Sequence, residues 1–188
     1  VSIILSDTDT NQANAINLWQ FMKDYTSHSR PLMDERIPHD PLRLVASFQS
    51  GLCDDRNAAL AKLFTLAGYQ ARVWHLGGHV VAEVYYDGAW HMFDADWGMY
   101  CMNGNTIADV AYISTHPNVI KLGDEYGALI RNYVGPAILN YVYTSTYNNY
   151  VNTWYDDVPL NYNSTMQLHK GDKLSLHVQQ MGWEGKLR

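Results

Sequence analysis

The amino-acid sequence predicts an α+β fold in which a helix opened by a cysteine packs on an antiparallel β-sheet. Two patterns carry that expectation. The run from Cys53 to Ala67 contains Ala58, Ala59, Leu60, Ala61, Leu63, Phe64 and Leu66, nearly all strong helix formers, and Gly68 follows where a helix end favours glycine. Three short alternating runs come next, parted by Gly77-Gly78 and Asp87-Gly88, as a three-stranded antiparallel meander requires.

The other elements follow in chain order. Between Asp9 and about Ser27, the residues Ala15, Leu18, Trp19, Met22 and Tyr25 recur at helical spacing, with Asp9 or Thr10 as cap, so an amphipathic helix is expected. Pro31, Pro38 and Pro41 make residues 29–41 a loop that leads to the cysteine. Asn103-Gly104-Asn105 reads as a turn, and Thr106 to about Ser114 as a short helix ended by His116-Pro117. From Tyr141 to Tyr162 the chain is crowded with Tyr, Asn and Thr without a period, which reads as a long aromatic loop or irregular strands. Alternation from Met166 to Leu187 around Lys170-Gly171-Asp172 predicts a C-terminal β-hairpin. The expected division is a core over residues 1–140 and an aromatic- and Asn-rich segment with the hairpin over 141–188, the latter read as the start of a further region cut short.

Composition narrows the function classes. At 188 residues the chain can bury a sizeable core, and 47% hydrophobic residues exclude a disordered chain. A formal charge of -6 and the lack of any Lys/Arg cluster argue against a nucleic-acid partner. No apolar run is long enough to span a bilayer. Two cysteines, Cys53 and Cys101, are too few for a disulfide scaffold and lack structural zinc spacing. His28, His39, His116, His169 and His177 also lack metal-ligand spacing, so neither a metal centre nor a cofactor is expected. The start at Val1 fits a removed signal or an excised piece, and Asn163-Ser164-Thr165 fits a glycosylation acceptor. An extracellular or periplasmic location is preferred.

The chemistry centres on Cys53. A cysteine in the first turn of a helix lies in the field of unpaired N–H groups, which favours thiolate and can also hold an oxyanion. Asp54 and Asp55 oppose this with like charge, so a histidine partner is required. With two-residue loops in both hairpins, His79 faces Asp96 and has Asp94 as its diagonal neighbour, about 7–8 Å away at the backbone. Parity then puts Trp74, His79, Trp90, Asp94 and Asp96 on one face of the sheet, and His75, Val80, Ala82, Val84, His91 and Phe93 on the other. His79 is thereby chosen over His75 and His91, which are assigned to packing or surface. Asp94 and Asp96 remain in competition.

Gly51-Leu52-Cys53, the Ala/Leu helix ending in Gly68, Ala71-Arg72-Val73, His79-Val80-Val81-Ala82-Glu83-Val84-Tyr85 and Trp90-His91-Met92-Phe93-Asp94 together resemble the core of transglutaminase-like proteins. That family's pattern runs Gly-x-Cys, His-x-x-x-Glu-Val-Tyr and Trp-x-x-x-Asp in the same order. The resemblance implies a papain/transglutaminase-like fold and a catalytic triad of Cys53, His79 and Asp94, choosing Asp94 over Asp96. The chain departs from the commonest pattern at Val80 and at Ala95, where a proline often follows the aspartate. For the oxyanion the resemblance implies the Cys53 backbone N–H and a second donor upstream, for which Gln49 has the nearest amide side chain.

Trp74, Trp90 and Trp97 flank the site in sequence, each with core packing as the ordinary alternative to a substrate platform, and Cys101 reads as a buried thiol. The leading expectation is acyl transfer through a Cys53 thioester, with hydrolysis of an amide or peptide bond preferred over transfer to an amine. Two alternatives stand beside it. One is a polysaccharide lyase using His79 and a tyrosine, suggested by the aromatic second half; the other is a non-catalytic binding module on the same scaffold. The partner is accordingly a peptide, protein or glycan.

Overall fold

The computed structural model describes residues 2–5, 9–30, 39–120, 136–145, 148–151 and 173–175. Strand β1 (Ser2–Ile4) precedes helix α1 (Asn11–Tyr25), whose cap is Thr10: its side-chain oxygen accepts from the Ala13 N–H at 3.1 Å. Strand β2 (Ser27–His28) follows at once. Asp40 then caps a short helix α2 (Pro41–Arg43), in which Pro41 occupies a first-turn position that needs no N–H, so the last of the three loop prolines starts a helix. The helix widens into a π-turn over Leu44–Phe48 and stops at Gln49, which is left-handed at φ 52°.

Strand β3 (Ser50–Gly51) runs parallel to β2 and delivers the chain to α3 (Cys53–Leu66), ended by Gly68 at φ 91°. The meander then follows as β4 (Gln70–Leu76), β5 (His79–Tyr86) and β6 (Ala89–Phe93). At the second turn Asp87 and Gly88 both have positive φ, 50° and 84°, the combination that suits the twist of a two-residue hairpin. A small hairpin of β7 (Met102–Asn103) and β8 (Thr106–Ile107), helix α4 (Val110–Thr115), a 3₁₀ turn at Pro117–Val119, helix α5 (Pro136–Thr144), β9 (Asn149–Val151) and β10 (Lys173–Ser175) complete the described chain. The start of the helix expected from Thr106 is thus a strand, and the helix begins at Val110, where Asp109 supplies the cap.

The main sheet has the order β6-β5-β4-β9, all antiparallel. Its two faces are both covered. On one, α1 and α3 contribute Leu18, Met22, Leu60, Leu63 and Phe64 against Val73, Val80, Ala82, Val84 and Phe93. On the other, Ile113 of α4 and Val142 and Tyr143 of α5 pack with Leu76, Val81, Met92 and Met99. Double coverage explains why β5 is apolar almost without interruption.

The division expected at residue 140 falls inside α5, and residues 149–151 add the fourth strand to the main sheet. Residues 173–175 pair with residues 2–4. The rest of the expected C-terminal hairpin, and 146–147 and 152–162 of the aromatic stretch, lie outside the described residues. Among the described residues no helix is long and apolar enough to cross a membrane.

Gly51 sits where β3 turns into α3. A Cβ there would lie 2.6 Å from Asp55 Cβ and 3.2 Å from Leu44 Cδ1, so the first turn of α3 can approach only a glycine. Gly51→Ala is expected to destabilise the protein by about 1–3 kcal/mol through overpacking, read as a lower urea midpoint with an unchanged slope.

Candidate active site

Cys53 is the first residue of α3 and half-buried. The Asp55 carboxylate accepts from the Leu52 N–H at 2.9 Å and lies 3.6 Å from His39 Nε2, so it closes the start of the helix. Both cysteines are free thiols, and Cys101 is buried among the apolar residues under α4.

His79 opens β5, opposite Leu76 at the end of the first hairpin. The second ladder keeps the expected register from Tyr86↔Ala89 to Ala82↔Phe93 and then stops. Beyond it the chain closes on itself: Asp94 and Met99 exchange backbone hydrogen bonds at 2.9 and 3.0 Å, and Gly98 turns at φ 59°. Asp96 is therefore in a turn and not in a strand opposite His79. Asp94 is the residue that meets the histidine, Oδ2 to Nε2 at 2.7 Å, and both side chains are buried.

The other oxygen of Asp94 is also fully engaged. Oδ1 accepts from the N–H groups of Asp96 and Trp97, each at 2.9 Å, and from Asn57 Nδ2 at 3.1 Å. Trp97 then lies flat on His79, with ring centroids 3.7 Å apart and planes within 8°. With Nε2 held by Asp94, the ring's Nδ1 is the nitrogen left for the thiol, and the Cys53 sulfur lies within 4.8 Å of a nitrogen of the ring. Burial acts most strongly on this ring and disfavours its charge, but the charge and hydrogen bond of Asp94, with those of Cys53, outweigh it and push the pKa up to about 10. The site can thus hold an imidazolium against a sulfur.

Asp96 belongs to the same site on another side. One of its carboxylate oxygens, the Cys53 sulfur and a His79 ring nitrogen all lie within 4.8 Å of one another. Its Oδ1 accepts from Arg56 at 3.1 Å, and both its oxygens face His28 Nδ1, at 2.8 and 3.0 Å. Burial works against this carboxylate, yet the His28 hydrogen bond and the Arg56 and histidine charges hold its pKa below the ordinary range. The thiolate, imidazole and carboxylate are also donors that a divalent cation uses, as are His39, Asp54 and Asp55, which converge in a second group.

Three of these residues escaped the sequence reading. Asn57 is one helical turn from Cys53; its amide donates to Val80 O at 2.8 Å as well as to Asp94, and its oxygen accepts from the Ala95 N–H at 2.8 Å. That last bond explains the departure at Ala95, because a proline would have no N–H to give. Arg56, 2% exposed, reaches Thr26 and the carbonyl and carboxylate of Asp96. Both are polar side chains in a helix otherwise built for burial, which is a readable signal. His28 lacks metal-ligand spacing in the sequence, and nothing local marks its link to Asp96.

The remaining candidates have other contacts. Gln49 is exposed, with its backbone carbonyl accepting from the Ser27 N–H at 2.9 Å. Trp74 donates to Glu83, and Arg72 lies 4.0 Å from the Trp90 ring, 4.3 Å from Tyr150 and 5.5 Å from Trp74. These rings enclose the buried Arg72–Glu83 pair, whose second carboxylate oxygen accepts from the Val110 N–H at the start of α4. His91 is buried, stacked on Tyr86 at 3.7 Å, with its Nδ1 2.6 Å from Ile107 O.

Because folding raises the His79 pKa from 6.5 to about 10, the folded state binds the proton more tightly than the unfolded chain. The resulting stability is present in full below pH 6.5 and is lost as pH rises toward 10. Urea midpoints measured across that window should fall for the native chain and fall less for His79→Gln.

Comparison with known proteins places little beside this chain. No protein-family model matches it, and no curated protein does. A solved structure described as a TGase is similar at 20% identity and a TM-score of 0.40, over 58% of this chain and 32% of that one, so the aligned part is about a third of the other protein's length.

Proposed function

We propose that this chain is a cysteine-dependent acyl-transfer enzyme of the transglutaminase-like kind, with Cys53 as nucleophile, His79 as its acid–base partner and Asp94 as the residue that orients the histidine. One observation carries the reading: a thiol at a helix start and a buried carboxylate lie on either side of a single imidazole. The carboxylate fixes which nitrogen faces the sulfur, and the proton drawn from the thiol leaves a thiolate beside an imidazolium. The thiolate attacks the carbonyl carbon of an amide or peptide bond, giving a thioester and releasing an amine. The backbone N–H of Cys53, at the start of α3, is the donor we assign to the oxyanion.

Water is the favoured acceptor, which makes the overall reaction hydrolysis. Acyl transfer is favoured over a lyase because elimination from a uronic acid makes no use of the sulfur.

Iodoacetamide should alkylate Cys53 faster than a peptide thiol at neutral pH while the buried Cys101 reacts slowly. Cys53→Ala should abolish turnover in an amide and peptide screen, and His79→Gln should reduce it by about 10²–10⁴-fold. Ordinary alkylation kinetics at Cys53, together with full turnover in Cys53→Ala, would refute the assignment.

A further inference from the structure

A thiol, an imidazole and a carboxylate meet at one point from three separate segments. The Cys53 sulfur, a His79 ring nitrogen and an Asp96 oxygen all lie within 4.8 Å of one another. Zinc takes sulfur at about 2.3 Å and nitrogen or oxygen at about 2.0–2.2 Å, so the ligand atoms of one tetrahedral ion stand roughly 3.3–3.7 Å apart. Closing this set therefore asks for movement on the order of 1 Å. Spacing along the sequence carries no sign of the group, because its members lie on α3, on β5 and in the turn after β6.

Two of the donors are already aimed. His79 gives Nε2 to Asp94 at 2.7 Å, and Asp94 is fixed in turn by Asn57 and two backbone N–H groups. A carboxylate behind the imidazole sets tautomer and direction in histidine-ligated zinc, and here it leaves Nδ1 for an ion. Trp97 lies flat on the ring and holds its plane. Asp96 is buried, with Oδ1 accepting from Arg56 and both oxygens facing His28 Nδ1, which leaves lone pairs on a carboxylate that cannot swing away. Charge and softness select the ion. A thiolate and a carboxylate together offset a doubly charged cation, and a sulfur–nitrogen–oxygen set suits zinc, whereas calcium and magnesium take six or more oxygen ligands.

We propose that Cys53, His79 and Asp96 form a three-ligand site for a zinc-class divalent cation, and that its occupancy holds the enzyme reversibly inactive. The inhibitory role rests on the acyl-transfer reading above; the site itself does not. The sulfur binds as thiolate, through the electron pair that would attack the carbonyl, and His79 binds as neutral imidazole, through the nitrogen that would take the proton. The one proton shared by that pair leaves to solvent, and nothing is oxidised or reduced. The half-buried Cys53 is the open side, where the ion enters and a water completes its shell. Asp94 stays outside that shell, so the two aspartates have separate roles: one orients the histidine and the other completes the cation site.

Zinc, cobalt, calcium and magnesium chlorides added to the metal-free native chain test this. One equivalent of zinc should slow iodoacetamide alkylation of Cys53 by about 10-fold or more and silence amide turnover, and a chelator should reverse both. Calcium and magnesium should do neither. Cobalt should give a thiolate-to-metal charge-transfer absorption that Cys53→Ser lacks. In Asp96→Asn, and in Asp96→Glu, which keeps a charge for Arg56, zinc affinity read against a chromophoric chelator should fall by more than the roughly 10–100-fold that loss of an outer partner costs. An unprotected Cys53, a cobalt complex without the charge-transfer band, or native affinity in a folded Asp96 variant would overturn the site. So would loss of binding in His39→Gln, which would place the ion at His39, Asp54 and Asp55 instead. Protection by zinc in a protein whose amide turnover survives Cys53→Ala would keep the site and remove the acyl-transfer reading together with the inhibitory role.

Discussion

Asn57 joins three pieces of backbone that apolar packing alone would leave free to slide. Its amide binds Val80 in β5, its oxygen binds the N–H of Ala95, and it donates to the carboxylate of Asp94. All of these bonds are buried, so losing one leaves an unsatisfied group at a cost of about 1–3 kcal/mol, and a displaced turn would lose several together. Arg56, the preceding residue, ties the same turn to the end of α1 through Thr26 and Asp96. One turn of helix below Cys53 therefore sets where the turn at 94–99 can lie, and with it both the carboxylate that holds His79 and the one that lies beside the sulfur.

The polar network is tolerable in a core because its members are mutually satisfied. The Asp94 carboxylate receives four hydrogen bonds, and the guanidinium of Arg56 meets carbonyls and a carboxylate on several sides. The pair of Arg72 and Glu83, further along the face of the sheet that carries His79, obeys the same rule, with an indole and the first N–H of α4 completing the carboxylate. Buried charge here marks places where separate segments must meet in one geometry.

Local patterns in the sequence were sufficient for much of this. The α3 helix, both tight turns and the register of the meander follow from residues close together in the chain, and parity alone singles out His79. Parity fails at the end of β6, because alternation assumes a continuing strand and Gly98 bends the chain back before Asp96 can face His79. Arg56, Asn57 and His28 act across 23 to 68 residues, and no periodicity reports such contacts. Pro136 before an apolar run is a helix-start signal for α5 that the aromatic residues beyond it obscured. Strand β9 is only three residues long and carries a polar Asn149, too little for an alternation pattern to register.

That short strand shapes how the sheet is assembled. The meander consists of contacts between neighbours in the chain, which cost little loop entropy, whereas Val73 must find Val151 from far along the polypeptide. During synthesis β4 emerges long before its second partner. Until then it presents a row of unpaired backbone groups, the kind of edge on which other chains nucleate aggregation. Residues 149–151 therefore act as an edge guard, and a chain ended before them would keep the candidate active site but leave β4 open to intermolecular pairing.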